Sequence, residues 1–266
     1  AMIAIKDDWY DKTTGKALPR IAEMVDRLEA LRNAKPQHVG LNHYLIHAAD
    51  SAAGASRAVA AADRMAALAP GSPHLVHMPS HIYARVGRYD EAAQVNEKAV
   101  AADVALDEVQ KTQGFTASKD WRGHNTHFLW YAALMQGRGD AALSAARTLA
   151  ERAKGRDHAY PEYLRSLPLL TLLRLGRWDA VLAEPMPSGE RGMAQALGAQ
   201  ARGVAQTRTG RIAEAKKTLA GAEAAVQKVH AAHAGNDDFD LLLRDMASSA
   251  ASRLRAEIAL TEKRGD

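Results

Sequence analysis

Gly87-Arg88-Tyr89-Asp90-Glu91-Ala92 is the stretch whose reading decides the fold. The pattern returns as Gly137-Arg138-Gly139-Asp140-Ala141-Ala142, as Gly176-Arg177-Trp178-Asp179-Ala180-Val181, and as Gly210-Arg211-Ile212-Ala213-Glu214-Ala215. The four glycines are spaced by 50, 39 and 34 residues. A glycine ends a helix where the chain must turn tightly without a Cβ clash. The small residue five positions later lets a second helix pack closely on the first. One such pair cannot bury both of its faces, so pairs are expected to stack.

The shortest interval, 34 residues, is that of the tetratricopeptide repeat (TPR). It recurs upstream, where His43 and His47 lie 34 residues before His77 and His81. The expected fold is therefore all-α, a TPR-like solenoid of helix pairs wound as a right-handed superhelix. Composition agrees: 47% of residues are hydrophobic but only 5% aromatic, which suits close-packed helices better than sheets. The chain reads as one domain over residues 1–266, with histidine-rich repeats at 36–153 and C-terminal repeats plus a capping helix at 154–266. Residues 18–35 read as a helix closed by Pro36, and residues 52–68 as the second helix of the upstream pair. Residues 103–119 read as an inserted helix extension and loop around Gly114. Residues 184–192 read as an irregular connector, and Asn236-Asp237-Asp238 as the start of a last helix reaching about Leu260.

Charge and cysteine content narrow the functions. The 35 basic and 31 acidic residues are interleaved, without a basic block of the kind that tracks a phosphate backbone, so nucleic acid is not the expected partner. Cysteine is absent, which removes disulfides and thiolate ligands. No apolar run is long enough to span a membrane. The glycines form no phosphate-binding fingerprint, so no nucleotide cofactor is expected. The alanine ahead of Met2 reads as a cloning remnant. A soluble chain is expected, cytoplasmic, or periplasmic if a natural leader is missing.

Eight of the eleven histidines fall between His38 and His127. Counting back from each pattern glycine, the thirteenth residues are His74, His124, Tyr163 and Leu197. The tenth are His77, His127, Ser166 and Gln200, and the sixth are His81, Tyr131, Leu170 and Val204. Offsets of three and four place these on one helical stripe. A histidine pair at i and i+4 suits joint metal ligation, and neighbouring helices pack ~8–10 Å apart. His43, His47, His77, His81 and His127 are the first candidates, converging on one ion. His74, His124, Asp50 and Tyr131 are candidates for outer-shell roles or a second site. Tyr44 and Met78 stand where a zinc protease would carry glutamate, so its general base is missing. Nitrogen ligands suit zinc, copper(II), nickel or iron(II), and two histidines with Asp50 would give an iron-type triad. Asn42 and Asn125, each beside a histidine, are candidates to orient it or to cap a helix. Trp121, Phe128, Trp130 and Tyr131 read as core and wall.

The segments Gly40-Leu41-Asn42-His43-Tyr44-Leu45-Ile46-His47, His74-Leu75-Val76-His77-Met78-Pro79-Ser80-His81-Ile82-Tyr83 and His124-Asn125-Thr126-His127-Phe128-Leu129 resemble a family of largely uncharacterised bacterial TPR proteins. The resemblance covers roughly residues 36–150. It implies that the histidine stripe lines the concave groove. Family members are usually longer upstream, which implies a C-terminal portion or a shortened member here. The resemblance supplies no reaction. Two functions compete on the sequence. One is a metal-binding repeat protein, with a metal-dependent enzyme on a small-molecule substrate as its extension. The other is a non-catalytic scaffold holding a peptide or protein partner in the groove, with Arg165, Arg174 and Arg202 as the basic residues to grip it.

Overall fold

The structure is a computed structural model that describes residues 9–11, 13–51, 53–115 and 122–263. The described residues are all helical apart from turns, connectors and one isolated bridge between Tyr10 and Ala17. Two compact units divide the chain at Arg138 and Gly139. The junction falls inside the glycine turn Gly137-Arg138-Gly139.

The first unit holds α1 (Pro19–Ala34), α2 (Val39–Ala49), a 3-10 turn (Ala55–Ala58), α3 (Val59–Leu68), α4 (Pro73–His77), α5 (Pro79–Val86), α6 (Tyr89–Thr112) and α7 (Arg122–Met135). Successive helices pack on one another: α1 on α2, α2 on α3, α3 on α5, α4 and α5 on α6, and α6 on α7. Their core joins Ile21, Val25, Leu45, Ile46, Met65, Met78 and Ile82 to a set of buried alanines. The expected helix at 52–68 forms in two pieces, the 3-10 turn and then α3. The expected insertion is a long α6 that runs on to Thr112, followed by Gly114 at φ +74°. Residues 116–119 of that insertion, and Trp121, lie outside the described residues, as does the chain start.

The second unit holds α8 (Gly139–Arg152), α9 (Ala159–Arg174), α10 (Trp178–Ala183), α11 (Met193–Arg208), α12 (Ile212–Ala232) and α13 (Asp238–Glu262). The connector at 184–192 is non-helical, and Asp237 caps α13 by accepting from the Asp240 N–H. Glu162, fully buried on α9, accepts from the backbone N–H groups of Arg191 and Ala194 at 2.7 and 3.0 Å. It thus fastens the connector and satisfies a donor at the start of α11. Arg165 donates to the carbonyls of Ser188, Ala153 and Arg156, and Arg202 to that of Glu184.

The recurring hexapeptide has one local structure in all four places. Gly87, Gly137, Gly176 and Gly210 take φ of 81°, 75°, 67° and 78°, a region costly for any residue with a Cβ. The next helix begins two residues later each time, at Tyr89, Gly139, Trp178 and Ile212. The fifth residue after the glycine (Ala92, Ala142, Val181 or Ala215) is buried in every copy. Gly139 stands where the other copies carry a large residue, and a Cβ there would lie 2.9 Å from Leu175 Cδ1 and require that side chain to shift.

Candidate metal centres

The sequence builds the same local device twice. On α2, the face carrying Leu45, Ile46, Ala48 and Ala49 is buried in the core. His43 and His47, four residues apart, share the neighbouring flank. One 34-residue step on, Pro79 lacks the N–H that would continue the helix, so the chain breaks into α4 and α5 at Met78. Met78 keeps right-handed helical backbone angles, and His77 and His81 therefore retain their i,i+4 relation.

Among the described residues, six histidines form two groups of three whose ring nitrogens lie within 4.8 Å of one another. The first triad is His43, His47 and His74, and the second is His77, His81 and His124. Each combines an i,i+4 pair with one histidine from the first turn of a following helix, α4 or α7. The five residues expected to share one ion are thus split. His43 and His47 go to one triad, and His77 and His81 to the other. His74 and His124, expected in outer roles, complete the two groups. His127 belongs to neither; its ring stacks on Trp130 at 5.4 Å. Tyr131 meets Tyr89, with ring centroids 6.1 Å apart. The physical cause is a one-turn stagger. His43 is the fifth residue of α2, whereas His74 is the second of α4, so residues alike by repeat position are not level in space.

The donor atoms point inward. His43 Nε2 lies 3.1 Å from His74 Nε2, and His77 Nε2 lies 3.0 Å from His81 Nε2. In the second triad the proton positions follow from the partners. Asn96 donates from Nδ2 to the Ala92 carbonyl at 2.7 Å, which turns its Oδ1 to accept from His77 Nδ1 at 2.6 Å. Ser80 Oγ lies 3.2 Å from the same nitrogen. His81 Nδ1 donates to the Asp50 carboxylate at 3.0 Å, and Arg85 Nε donates to the other oxygen of that carboxylate. With both Nδ1 atoms protonated, the two Nε2 atoms face one another at 3.0 Å, where a proton or another cation joins them.

Electrostatics favour the neutral, metal-binding form of His43, His47 and His77. Burial above all, and then His81, pushes His77 down to about 2. Burial, then His43 and His81, brings His47 down to about 4. Burial, then His74, also lowers His43. For Asp50, burial works against the charge, but the hydrogen bonds and positive fields of His81 and Arg85 overcome it and hold the carboxyl at about 2. The ionised Asp50 carboxylate thus joins His81 to Arg85.

Protein-family models and curated proteins contain no match to this chain. The site must be read from its own chemistry. Phe128 packs its ring on all three members of the second triad, at 4.8 Å from His77, 4.6 Å from His81 and 4.9 Å from His124. In the first triad Tyr44, half exposed, stacks on His43 at 5.2 Å. Asn42 does not orient His43; it donates to the carbonyls of Pro36 and His38. Asn125 donates to Asp103 at 2.7 Å. The residues that sequence reading missed are Asn96 and Ser80. A signal for Asn96 existed: it interrupts the buried run Ala92, Ala93, Ala99 on α6 with an amide. A polar residue on a core stripe needs a buried partner.

Proposed function

We propose that this chain is a TPR-like repeat protein that binds two transition-metal ions, one in each histidine triad. The carrying observation is the set of three inward-facing nitrogens in the second triad, with two outer nitrogens already committed to Asn96 and Asp50. A single proton would satisfy only the two facing lone pairs. A metal ion uses all three. Histidine ligands whose second nitrogen is held by a carboxylate or amide are the usual arrangement around a protein metal. Tetrahedral zinc with Zn–N ~2.05 Å needs nitrogens ~3.3 Å apart, close to the 3.0 and 3.1 Å contacts.

Three nitrogens and no thiolate suit zinc, copper(II), nickel or iron(II). Three protein ligands leave one position on each ion for water or a small molecule, the arrangement of catalytic rather than structural zinc sites. That position is where a metal-dependent reaction would take place. The resemblance to histidine-motif TPR proteins supports reading the stripe as groove-facing. The peptide-scaffold reading has less in its favour, because Arg165 and Arg202 are engaged with backbone carbonyls.

Elemental analysis of the full chain, purified without a polyhistidine tag, tests the proposal. Two ions per chain are expected, falling to none in a His43→Ala/His77→Ala double variant. Metal that persists in that variant, or wild-type protein that takes up none when supplied with zinc, nickel, copper or iron, overturns it.

A further inference from the structure

The second triad is the more buried of the two. His77 is fully buried, Asn96 and Ser80 hold its outer nitrogen, Asp50 holds that of His81, and Phe128 covers the group. The rings of the first triad are all partly exposed, and the aromatic side chain beside them, Tyr44, is itself half in solvent. Buried ligands whose outer nitrogens are held by fixed partners bind a metal tightly, and loss of such a partner typically costs tenfold to a hundredfold.

The triads are also linked. His74 serves the first and His77 the second, yet both stand on α4, three residues apart. Residues so spaced have Cβ atoms ~5–6 Å apart, which places two bound ions on the order of 8 Å from each other. Asp50 caps the C-terminus of α2, the helix that carries His43 and His47, and reaches across to His81. Every ligand in both triads is a neutral imidazole, so each bound ion keeps its full double charge. Near these centres, the negative charge of Asp50 is offset by Arg85, which is bonded to it.

Building on the metal reading above, we propose that the two sites fill in order. The second triad fills first as the resident site, and its ion weakens binding at the first triad, which becomes the exchangeable, solvent-facing site. Two divalent ions ~8 Å apart in a part-buried setting repel enough to weaken the second event roughly tenfold or more at physiological salt. Both triads already have their nitrogens gathered before any ion arrives, so the first ion has little ordering to offer the second in return.

Calorimetric titration of the metal-stripped full chain with zinc(II) tests this. Two phases are expected, the first tighter by at least tenfold, with the gap narrowing as salt is raised. His43→Ala should abolish the weak phase and keep the tight one. His77→Ala should abolish the tight phase, and the remaining site should then bind at least tenfold more tightly than the wild-type weak phase. His124→Gln, which removes a part-exposed ligand instead of a buried one, should give the same gain if His77→Ala fails to fold. Two equal phases, or a first triad whose affinity is unchanged in both variants, overturn the ordered filling but leave two-ion binding intact. Absence of any uptake overturns the metal reading and this inference with it.

Discussion

The ring centroids of the first triad lie 4.7, 5.1 and 5.9 Å apart, and those of the second 4.9, 4.6 and 5.8 Å. A 34-residue step relates the two i,i+4 pairs and a 50-residue step the third histidines, and together they give nearly the same triangle of imidazoles twice. Around the second triad stand a carboxylate, an amide, a hydroxyl and a phenyl ring, and on the first a half-exposed tyrosine stacks on His43. The comparison separates what the helical register supplies, which is ligand geometry, from what neighbouring elements supply, which is fixed orientation and shelter from water.

Removing the carboxylate should have the largest effect on that difference. Asp50→Asn frees His81 and Arg85, and the second triad should lose tenfold to a hundredfold in zinc affinity while the first loses less. Calorimetry on the intact chain resolves the two. Next is Asn96→Ala, which leaves His77 Nδ1–H without its closest acceptor in a fully buried place. It should destabilise the metal-free protein by about 1–3 kcal/mol in a urea melt, and weaken metal binding at the second triad about tenfold.

Acid sharpens the contrast further. His77 is held at about 2 in the folded chain against an ordinary 6.5, chiefly by burial. The unfolded chain then binds the extra proton throughout that interval. Its stabilising contribution is full above about pH 6.5 and declines as the pH falls below it, by about 1.4 kcal/mol per pH unit. His47, at about 4, acts in the same direction over a narrower range. Chemical denaturation of the metal-free protein between pH 7 and 5 should show this decline, and a His77→Gln variant should show a shallower one. The smallest effect belongs to His127→Ala. His127 lies outside both triads and stacks on Trp130, so two ions per chain should remain.

Much of this architecture was legible in the residues. The glycine hexapeptides marked four helix turns because a left-handed backbone leaves glycine as the residue of choice, and the repeat spacing marked the histidine pairs. The i,i+4 pairs His43/His47 and His77/His81 follow from helical geometry alone. The third ligand of each triad does not. Repeat alignment puts His127 level with His77, yet His124 is the residue that arrives, because consecutive helices are offset by a turn and that offset is tertiary. Asp50 was recognisable as a nearby carboxylate but not as a partner of His81, which lies 31 residues away. Asn96 was hidden among helix residues on α6, where one amide in an alanine-rich face draws little notice. The boundary at Gly139 carried no signal, since it reuses the same turn chemistry as the pattern elsewhere.

The central claim is that each triad is a separate metal site. Anomalous diffraction from crystals of the tag-free chain grown with zinc tests it most directly. The account predicts two peaks, one bound by His43, His47 and His74 and the other by His77, His81 and His124. A single peak shared by His77, His81 and His127, or zinc bound only at other side chains, would contradict it.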